Sequence, residues 1–360
     1  MPRPKSGRKP RLVAAGFFAL DIVFGLDDST PRFYTGGTCG NVAAGLAFFG
    51  WDSLPLARLG DDVAGQVVRR DLERWEVRTT HLGLNPVAAT PIVLEKIELN
   101  KNGTPKHRFL WSCPDCSSYF PPFRAVLRTQ AHLIREEIDR PEVFFADRVS
   151  PSTVELARHF RAKGSLIYFE PSAAGDPRLF SEMLELCHVL KYSAQRARSF
   201  SELLRKHRAQ LEIETLGEDG LRFRTRRAFT SWNSLPAFEV KIKDTAGSGD
   251  WTTVGLIAGL FKNGKAGLQG TKQELILCLE HAQAVAALNC RFEGARGAMY
   301  QLSRSKFNEV VETIEAKWPS IHRQRKISLT QQISTSEVCP SCSPKRKETQ
   351  PHVGSVVLAD

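Results

Sequence analysis

A glycine-rich segment over residues 244–250 is the part of the chain best suited to chemistry, because its sequence, DTAGSGD, combines a flexible backbone with two carboxylates. Before it, the apolar residues Phe238, Val240 and Ile242 alternate with charged ones, and an apolar run follows it. These patterns predict a strand over 238–242, then a turn, then a helix. Unpaired N–H groups at the start of a helix attract anions, and glycines allow the tight turn that exposes them. The segment therefore predicts a site for a negatively charged group such as a phosphate.

Asp250 ends this segment, and its position allows two interpretations. A carboxylate in the first turn of a helix stabilises the helix dipole, which is a purely structural role. Beside a phosphoryl group held by N–H groups, the same carboxylate could take a proton from an attacking hydroxyl. The Walker sequence GxxxxGK[ST] does not occur in the chain, so the site is not a P-loop. Spacing alone leaves both roles open.

A second glycine cluster, GGTCGN over residues 36–41, precedes a helix-type run at 42–49. Glycine-rich turns before helices are common, and an Asn at the end of such a turn often lies near the helix start. Taken alone, the cluster predicts a tight turn with Asn41 close to a helix N-terminus.

Four of the eight cysteines form two C-P-x-C pairs. This spacing can place two thiolates on one metal ion, and two pairs supply the four ligands of a structural Zn²⁺ site. The pairs are far apart in sequence, so two unrelated pairs of reduced, inert thiols are an equally open interpretation. The four residues are Cys113, Cys116, Cys339 and Cys342.

The elements needed to position these residues follow an α/β pattern. The apolar run 12–20 predicts a buried first strand with Asp21 at its end, and alternation at 32–35 and 91–99 predicts strands with one wet face, as in a small lid sheet. In the middle of the chain, unbroken apolar runs alternate with amphipathic stretches, which indicates βαβ units and a mostly parallel sheet. The predicted strands there are 143–146, 166–169, 189–190 and 211–216, and the predicted helices are 152–161, 178–187 and 197–207.

Charge divides the 360 residues into a nearly balanced body and two basic tails. The net charge is +11, of which residues 1–11 carry +5, residues 319–360 carry +3, and residues 12–318 carry the remaining +3. Basic tails could bind a nucleic acid, but the body contains no recognisable nucleic-acid module. The body has no run long enough to span a membrane. Sparse cysteines suit a reducing compartment, so the expected location is the cytoplasm.

Considered together, four spaced motifs resemble the PfkB, or ribokinase-like, family of carbohydrate kinases. The segment 36–43 resembles its G-G-x-x-x-N-x-A motif, and 57–65 resembles the G-x-D-x-x-G stretch that follows. The segment 215–220, TLGEDG, resembles its T-x-G-x-x-G strand and turn, and 244–250 resembles its D-T-x-G-A-G-D signature. The resemblance implies a ribokinase-like three-layer fold with a mostly parallel central sheet and a small β-sheet lid, formed by strands near 32–36 and 91–112.

The resemblance also implies a role for each matching residue. Asp250 would be the general base that deprotonates the acceptor hydroxyl. The other implied groups are an anion hole at Ala246, Gly247, Ser248 and Gly249, acceptor binding at Asp21, Gly37 and Asn41, and nucleotide binding at Lys191, Thr215, Gly217 and Gly220.

ATP and Mg²⁺ are the cofactors that the resemblance implies. Some family members bind a monovalent cation where Asp244 and the carbonyl of Ala246 stand, and lids in the family can be shared between the chains of a homodimer. The expected partner is a small sugar or nucleoside acceptor, with no membrane partner.

Four positions depart from the family. Many members carry N-x-x-E after a lysine, whereas Lys191 is followed by Ser193 and Arg196 at those places. Ala19 stands where an acceptor-binding Asn is frequent, and Thr38 replaces a lysine of ribose-type members. The leading hypothesis is ATP-dependent phosphorylation of a hydroxyl on a sugar or sugar derivative. Alternatives are a nucleoside kinase of the same family, a catalytically weak ligand-binding regulator on the kinase fold, and, last, a nucleic-acid-binding protein.

For three histidines and two aromatic residues, the sequence predicts structural rather than functional roles. His107, His159 and His281 show no ligand spacing with one another or with a carboxylate pair, so we expect them to lie on the surface or in packing positions. Trp111 and Tyr119 flank the first cysteine pair, and we expect them to pack rather than to bind a sugar.

Overall fold

The computed structural model describes residues 8–26, 30–101, 103, 105–205, 209–261, 268, 270–317, 339 and 341–342. Within them, strands form a nine-stranded sheet and a separate four-stranded sheet. In spatial order the large sheet contains β13 (Asn233–Leu235), β12 (Leu221–Thr225), β11 (Leu211–Thr215), β10 (Val189–Ser193), β9 (Leu166–Phe169), β8 (Val143–Ala146), β1 (Arg11–Ala15), β4 (Asp52–Gly60) and β5 (Leu82–Asn85). The small sheet contains β3 (Arg32–Gly36), β2 (Ala19–Phe24), β6 (Ile92–Leu99) and β7 (Pro105–Leu110).

The large sheet is parallel from β5 to β11, and β12 and β13 extend it in antiparallel fashion. β8 (VFFA) and β9 (LIYF) are buried at every position, as strands covered on both faces must be. In β12, by contrast, Leu221 and Phe223 are buried while Arg222, Arg224 and Thr225 are partly exposed. The predicted strands of the middle region are all confirmed.

Helices cover both faces of the large sheet, so the body has three layers. Side chains from α1, α8, α9 and α11 contribute to the larger hydrophobic core on one face, and side chains from α3, α4, α5 and α7 contribute to the second core on the other. Proline and polar caps set several helix starts; Ser150 Oγ accepts the Thr153 N–H at 3.1 Å, and Pro151 begins α4. The helices are α1 (Thr38–Phe48), α2 (Val63–Arg74), α3 (Arg128–Glu137), α4 (Pro151–Ala162), α5 (Pro177–Leu186), α6 (Ala194–Ala197), α7 (Ser201–Arg205), α8 (Ser248–Leu260), α9 (Lys272–Asn289), α10 (Gly297–Gln301) and α11 (Arg304–Lys317). No helix in the described ranges is long and apolar enough to cross a membrane.

The first apolar run is divided between the two sheets, which corrects the prediction of one strand ending at Asp21. β1 belongs to the large sheet and β2 to the small one, and Asp21 lies inside β2. The break falls at Gly16, where a Cβ would lie 1.8 Å from Asp147 Oδ1, while the Phe17 N–H donates to the same oxygen at 2.8 Å. Arg11 is already in β1, so it does not belong to the N-terminal tail.

The predicted strand at 238–242 is wrong. The segment after β13 forms no regular secondary structure and pairs with no strand in the part of the chain that the structure describes. Phe238 packs against the larger core, and the N–H groups of Lys243 and Asp244 donate to the carbonyl of Cys290 at 2.8 and 3.2 Å. The alternation of apolar and charged residues at 238–242 therefore reflects a segment with one apolar side toward the core, without the hydrogen bonds of a β-sheet. The predicted helix at 197–207 is also divided, into α6 and α7.

Candidate active site

The DTAGSGD segment forms a tight turn that leads into α8. Gly247 precedes the helix with φ 70°, and a Cβ there would lie 2.2 Å from the carbonyl oxygen of Ala295. Only glycine fits both the left-handed backbone and this close approach. The Asp244 carboxylate holds the turn from below, accepting the N–H of Ala246 at 2.9 Å and of Gly294 at 2.8 Å.

The four expected anion-hole residues divide into two kinds. The Ala246 N–H donates to Asp244, and the Ser248 N–H donates to the Thr245 carbonyl at 3.2 Å, so both are engaged within the turn. The N–H groups of Gly247 and Gly249 make no hydrogen bond to any described residue. These two donors form the available part of the expected anion hole.

Asp250 lies in the first turn of α8, half-buried, and Asn41 of α1 reaches it. The Asn41 Nδ2 donates to Asp250 Oδ2 at 2.6 Å. Three further carboxyl groups lie near enough that the charge of Asp250 helps to raise their pKa values, although burial is the larger cause in each case. They are Asp21, Asp147 and Glu170. The second glycine cluster and the DTAGSGD segment therefore meet at one carboxylate-rich cleft.

Asp21 projects from the small sheet toward this cleft. Burial raises its pKa from 3.8 to about 7; the nearby Arg296 guanidinium opposes the rise, and the charges of Asp250 and Asp71 add to it. Gly36 lies directly beside it, since a Cβ there would be 1.9 Å from the Asp21 carboxyl group. A side chain larger than that of glycine at the end of β3 would therefore clash with the Asp21 carboxyl group.

An apolar wall lies next to the start of α1. Ala19, at the place of a frequent family Asn, is fully buried and packs with Phe17, Val93 and Phe123. Gly37 has φ 78°, and a Cβ there would meet the Phe17 carbonyl oxygen at 2.4 Å, which ties the start of α1 to this wall.

Lys191, in the middle of β10, forms a buried ion pair with Glu170, which directly follows β9. Thr253 Oγ1 of α8 donates to Glu170 Oε2 at 2.5 Å. The pair lies beneath the anion hole, since a Cβ on Gly249 would be 3.7 Å from Lys191 Nζ and 3.8 Å from Glu170 Oε1. Lys191 was expected from sequence, but Glu170 was not; the signal was a charged residue directly after a fully buried parallel strand. Asp147, after β8, carries the same signal.

The expected nucleotide residues lie at the same edge of the large sheet. Thr215 ends β11, and Gly217 and Gly220 bound the short turn that follows. Gly220 has φ 88°, and a Cβ there would lie 2.2 Å from the Leu235 carbonyl oxygen. At the N-x-x-E positions, Ser193 Oγ caps α6 by accepting the Arg196 N–H at 3.2 Å. Neither residue supplies a carboxylate.

Residues 25–301 match the pfkB family carbohydrate kinase family, which is more than half of the chain. The chain belongs to the PfkB family of carbohydrate kinases. It is 24% identical over 294 residues to the fructokinase of Salmonella typhimurium, covering 73% of this chain and 88% of that one. It is 27% identical over 312 residues to the ATP-dependent ribose-1-phosphate kinase of Halopiger xanaduensis, covering 80% and 94%.

Solved structures confirm the ribokinase-like fold expected of a PfkB member. The fructokinase of Xylella fastidiosa, solved with bound ATP, superposes with a TM-score of 0.64 at 19% identity, covering 85% of this chain and 99% of that one. A Vibrio cholerae fructokinase double mutant, solved with fructose, ADP and potassium ion, has a TM-score of 0.62 at 18% identity, covering 81% and 95%.

The small sheet of this PfkB chain brings His107 to the DTAGSGD turn, a contact that the sequence did not predict. His107 Nδ1 lies 3.2 Å from Thr245 Oγ1 and 3.3 Å from Asp244 Oδ1. Glu95 is buried beside them, and its pKa lies well above 4.5 because of burial first and the charges of Asp244 and Asp21 second. His107 is more than 130 positions from Thr245 and Asp244 in sequence, so local spacing carried no signal. Of the other two histidines, His281 bonds to Glu315 at 2.7 Å, as a surface residue can.

The four expected zinc ligands meet at one place beyond β7. Their Sγ atoms all lie within 4.8 Å of one another, with Cys113 and Cys342 separated by 3.4 Å and Cys116 and Cys339 by 3.9 Å. Trp111 and Tyr119, which were expected to pack, are instead 54% and 87% exposed. The described cysteine pairs are therefore neither unrelated nor remote.

Proposed function

We propose that this PfkB-family chain transfers the γ-phosphoryl group of ATP to a hydroxyl of a sugar or sugar derivative, with Asp250 as the general base. One observation carries the proposal: Asp250 stands in the first turn of α8 with one oxygen held by Asn41 at 2.6 Å, beside the unbonded N–H groups of Gly247 and Gly249. A proton acceptor, the Asp250 carboxylate, therefore lies next to an anion site formed by these two N–H groups.

The chain's own groups divide the work of the transfer. Asp250 takes the proton of the acceptor hydroxyl as its oxygen attacks the γ-phosphorus, and the bond to the ADP oxygen breaks. The N–H groups of Gly247 and Gly249 hold the negative oxygens of the transferring group. The helix dipole of α8 adds to this attraction. Lys191, buried beneath the hole, contributes positive charge under the phosphates.

The acceptor binds between the lid sheet and α1. Asp21 and Asn41 offer a carboxylate and an amide, groups that form hydrogen bonds with sugar hydroxyls. Phe17, which packs on the fully buried Ala19, offers the apolar edge against which the carbon face of a sugar ring lies. ATP borders Thr215, Gly217 and Gly220, at the carboxyl edge of the sheet, where parallel sheets bind ligands.

Mg²⁺ enters this proposal with ATP. It keeps several waters and is commonly bound through substrate phosphates rather than by a protein cage. The carboxylates nearby fit this picture, because Lys191 and Thr253 engage the Glu170 carboxylate and Arg148 pairs with Asp147. Mg²⁺ would neutralise phosphate charge during transfer.

A monovalent cation at Asp244 and Ala246 does not fit the residues present. Both Asp244 oxygens accept backbone N–H groups, His107 lies at 3.3 Å from one of them, and the Ala246 carbonyl faces Asn289 Nδ2 at 3.4 Å. The expected ligands are engaged with protein donors, so we derive no step through such an ion.

The decisive experiment is Asp250→Asn in a coupled ADP-release assay over a panel of sugars and nucleosides with Mg²⁺. Loss of the base should lower kcat about 10²–10⁴-fold, while the thermal midpoint stays close to that of the parent. The control is Asp139→Asn, an exposed carboxylate paired with Lys163 at 2.9 Å, which should turn over normally. Equal rates for parent and Asp250→Asn would refute the assignment. ATP binding without turnover on any acceptor would favour the regulator alternative, and preferred turnover of nucleosides would favour the nucleoside kinase.

Cytoplasmic location and a homodimer complete the proposal. The eight cysteines, all of which the structure describes, form no disulfide, as is typical of a reducing compartment. Phe109 on β7, the outermost strand of the small sheet, is 39% exposed, and Leu99 of β6 is 58% exposed, so a second copy could cover this edge. Light scattering of the purified protein tests the dimer.

A further inference from the structure

The cysteine cluster has the dimensions of a tetrahedral thiolate site. With Zn–S bonds of 2.3 Å, the edges of such a tetrahedron measure about 3.8 Å. The measured Sγ separations of 3.4 and 3.9 Å match this edge, and no pair in the cluster exceeds 4.8 Å. A disulfide needs about 2.05 Å, so these separations describe four separate thiols around one centre.

Each cysteine pair is presented by a local turn. The Ser117 N–H donates to the Cys113 carbonyl at 2.8 Å, and the Cys342 N–H donates to the Cys339 carbonyl at 3.2 Å. Such turns direct both thiols of a C-x-x-C pair to the same side. Cys113 and Cys339 are buried in the larger core, whereas Cys116 is exposed. The cluster is therefore rigid on its inner side and accessible to an ion from outside.

We propose that Cys113, Cys116, Cys339 and Cys342 bind one structural Zn²⁺ as four thiolates, and that this ion fastens the C-terminal segment to the turn after β7. Zn²⁺ is the metal favoured by a closed four-sulfur shell with no redox role. Binding releases the thiol protons to solvent, and no electron transfer is involved.

The location of the ion, at the end of β7, links it to the small sheet that forms the proposed lid. Residues 111–119 follow β7 directly, and β7 carries His107, which contacts Thr245 and Asp244 of the catalytic turn. A metal at the end of β7 holds this strand through a second, distant part of the chain. The metal takes no part in phosphoryl transfer, so the test of the metal site does not depend on the proposed kinase activity.

Metal analysis of the full chain, purified in reducing buffer without chelator, tests the site. We expect about one zinc per chain. The double variant Cys116→Ser and Cys342→Ser should lose the zinc, whereas Cys278→Ser, a half-buried cysteine of α9 outside the cluster, should keep it. A folded, metal-free parent, or stoichiometric iron in its place, would overturn the proposal.

Limited trypsin digestion tests the fastening. Cleavage at Arg323, Arg325 or Lys326 separates the fragment with Cys339 and Cys342 from the body. In reducing buffer the fragment should co-elute with the body in size exclusion and dissociate when a strong zinc chelator is added. Retention after chelation would show that packing holds the fragment, and dissociation in reducing buffer before any chelator is added would show that no metal holds it; either result would refute the fastening. Refilling the chelated chain with Co²⁺ should give the absorption of tetrahedral cobalt thiolate.

Discussion

Asp21 shows how a single residue in this protein balances stability against function. It is 8% exposed, between the small sheet and α1, and its pKa of about 7 means that the folded chain keeps a proton there which the unfolded chain loses near pH 4. An ionised carboxylate accepts hydrogen bonds from sugar hydroxyls more strongly than a protonated carboxyl group does. The charge that strengthens acceptor binding is therefore the charge that the fold disfavours.

This balance predicts a pH-dependent effect of Asp21→Asn on stability. Because the folded-state pKa is raised from 3.8 to about 7, the free energy of unfolding contributed by this proton is complete below pH 4 and is lost as the pH rises to 7. The loss amounts to about 4 kcal/mol at most. Urea unfolding at pH 5 and pH 8 should show the variant gaining stability relative to the parent at the higher pH, while its kcat/KM for the acceptor falls. A stability difference that does not change with pH would contradict the assigned burial.

Gly247 supports a second prediction at the scale of one residue. The backbone of Gly247 has φ 70°, and a Cβ at this position would lie 2.2 Å from the Ala295 carbonyl oxygen. Gly247→Ala must therefore displace the turn and its N–H donors. Loss of one such donor lowers kcat by about 10²–10³-fold. Gly103→Ala is the matched control, because φ there is 72° with nothing within 4 Å of the added Cβ. It carries the same backbone strain without the contact, and steady-state kinetics should separate the two. Equal losses in both variants would attribute the effect to strain alone.

At the scale of elements, the Lys191–Glu170 ion pair joins the middle of β10 to the end of β9. Removing one partner of a buried pair leaves an uncompensated charge and typically lowers stability by about 3–5 kcal/mol, whereas replacing both is much less harmful. We therefore expect Lys191→Met to be strongly destabilised in urea unfolding, and the double variant Lys191→Met with Glu170→Gln to recover most of that loss. Thr253 can still donate to the new amide oxygen. Failure of the double variant to recover would show that Lys191 acts through other contacts.

Sequence reasoning succeeds for elements whose signal is local. Runs such as VFFA and LIYF predict buried parallel strands because covering both faces requires apolar residues throughout. The same reasoning fails at 238–242, where alternation records one buried side of an unpaired segment, and at Gly16, where contact with Asp147 ends a strand inside an apolar run. Partners in space, not residue types, decide both cases.

The candidate site divides along the same line. The family motifs indicate Asp250, Asn41 and Asp21, and the structure brings these three together. His107 and Glu170 were not found, because their partners Asp244 and Lys191 lie on other elements and become neighbours only through the lid sheet and the strand order. Motif spacing identifies functional residues that lie within one turn. Contacts between residues on different elements can be identified only when the fold is known.

At the scale of the whole molecule, the net charge of +11 invites a nucleic-acid partner that the architecture does not need. Proposed ATP contacts rest on backbone N–H groups and on Lys191, which are inside the fold. The structure also moves the boundaries of the tails, since Arg11 pairs with Asp52 at 2.8 Å and Cys339 and Cys342 are held at the body. The part of the chain that can be removed without touching these contacts is therefore smaller than charge alone suggests.

A truncated chain of residues 9–342 tests this division of charge. It keeps Arg11 in β1 and all four clustered cysteines, so we expect it to fold, to retain zinc, and to turn over ATP and acceptor at the rate of the full chain. Any binding of the full chain to a nucleic acid should weaken steeply with salt, because release of counterions dominates such contacts, and the truncation should reduce the slope of that dependence. Fluorescence anisotropy with a labelled duplex at several salt concentrations measures it. If the truncated chain bound the duplex as tightly as the full chain and lost its turnover, the excess charge would belong to the function of the body, and the separation of basic tails from kinase chemistry would be wrong.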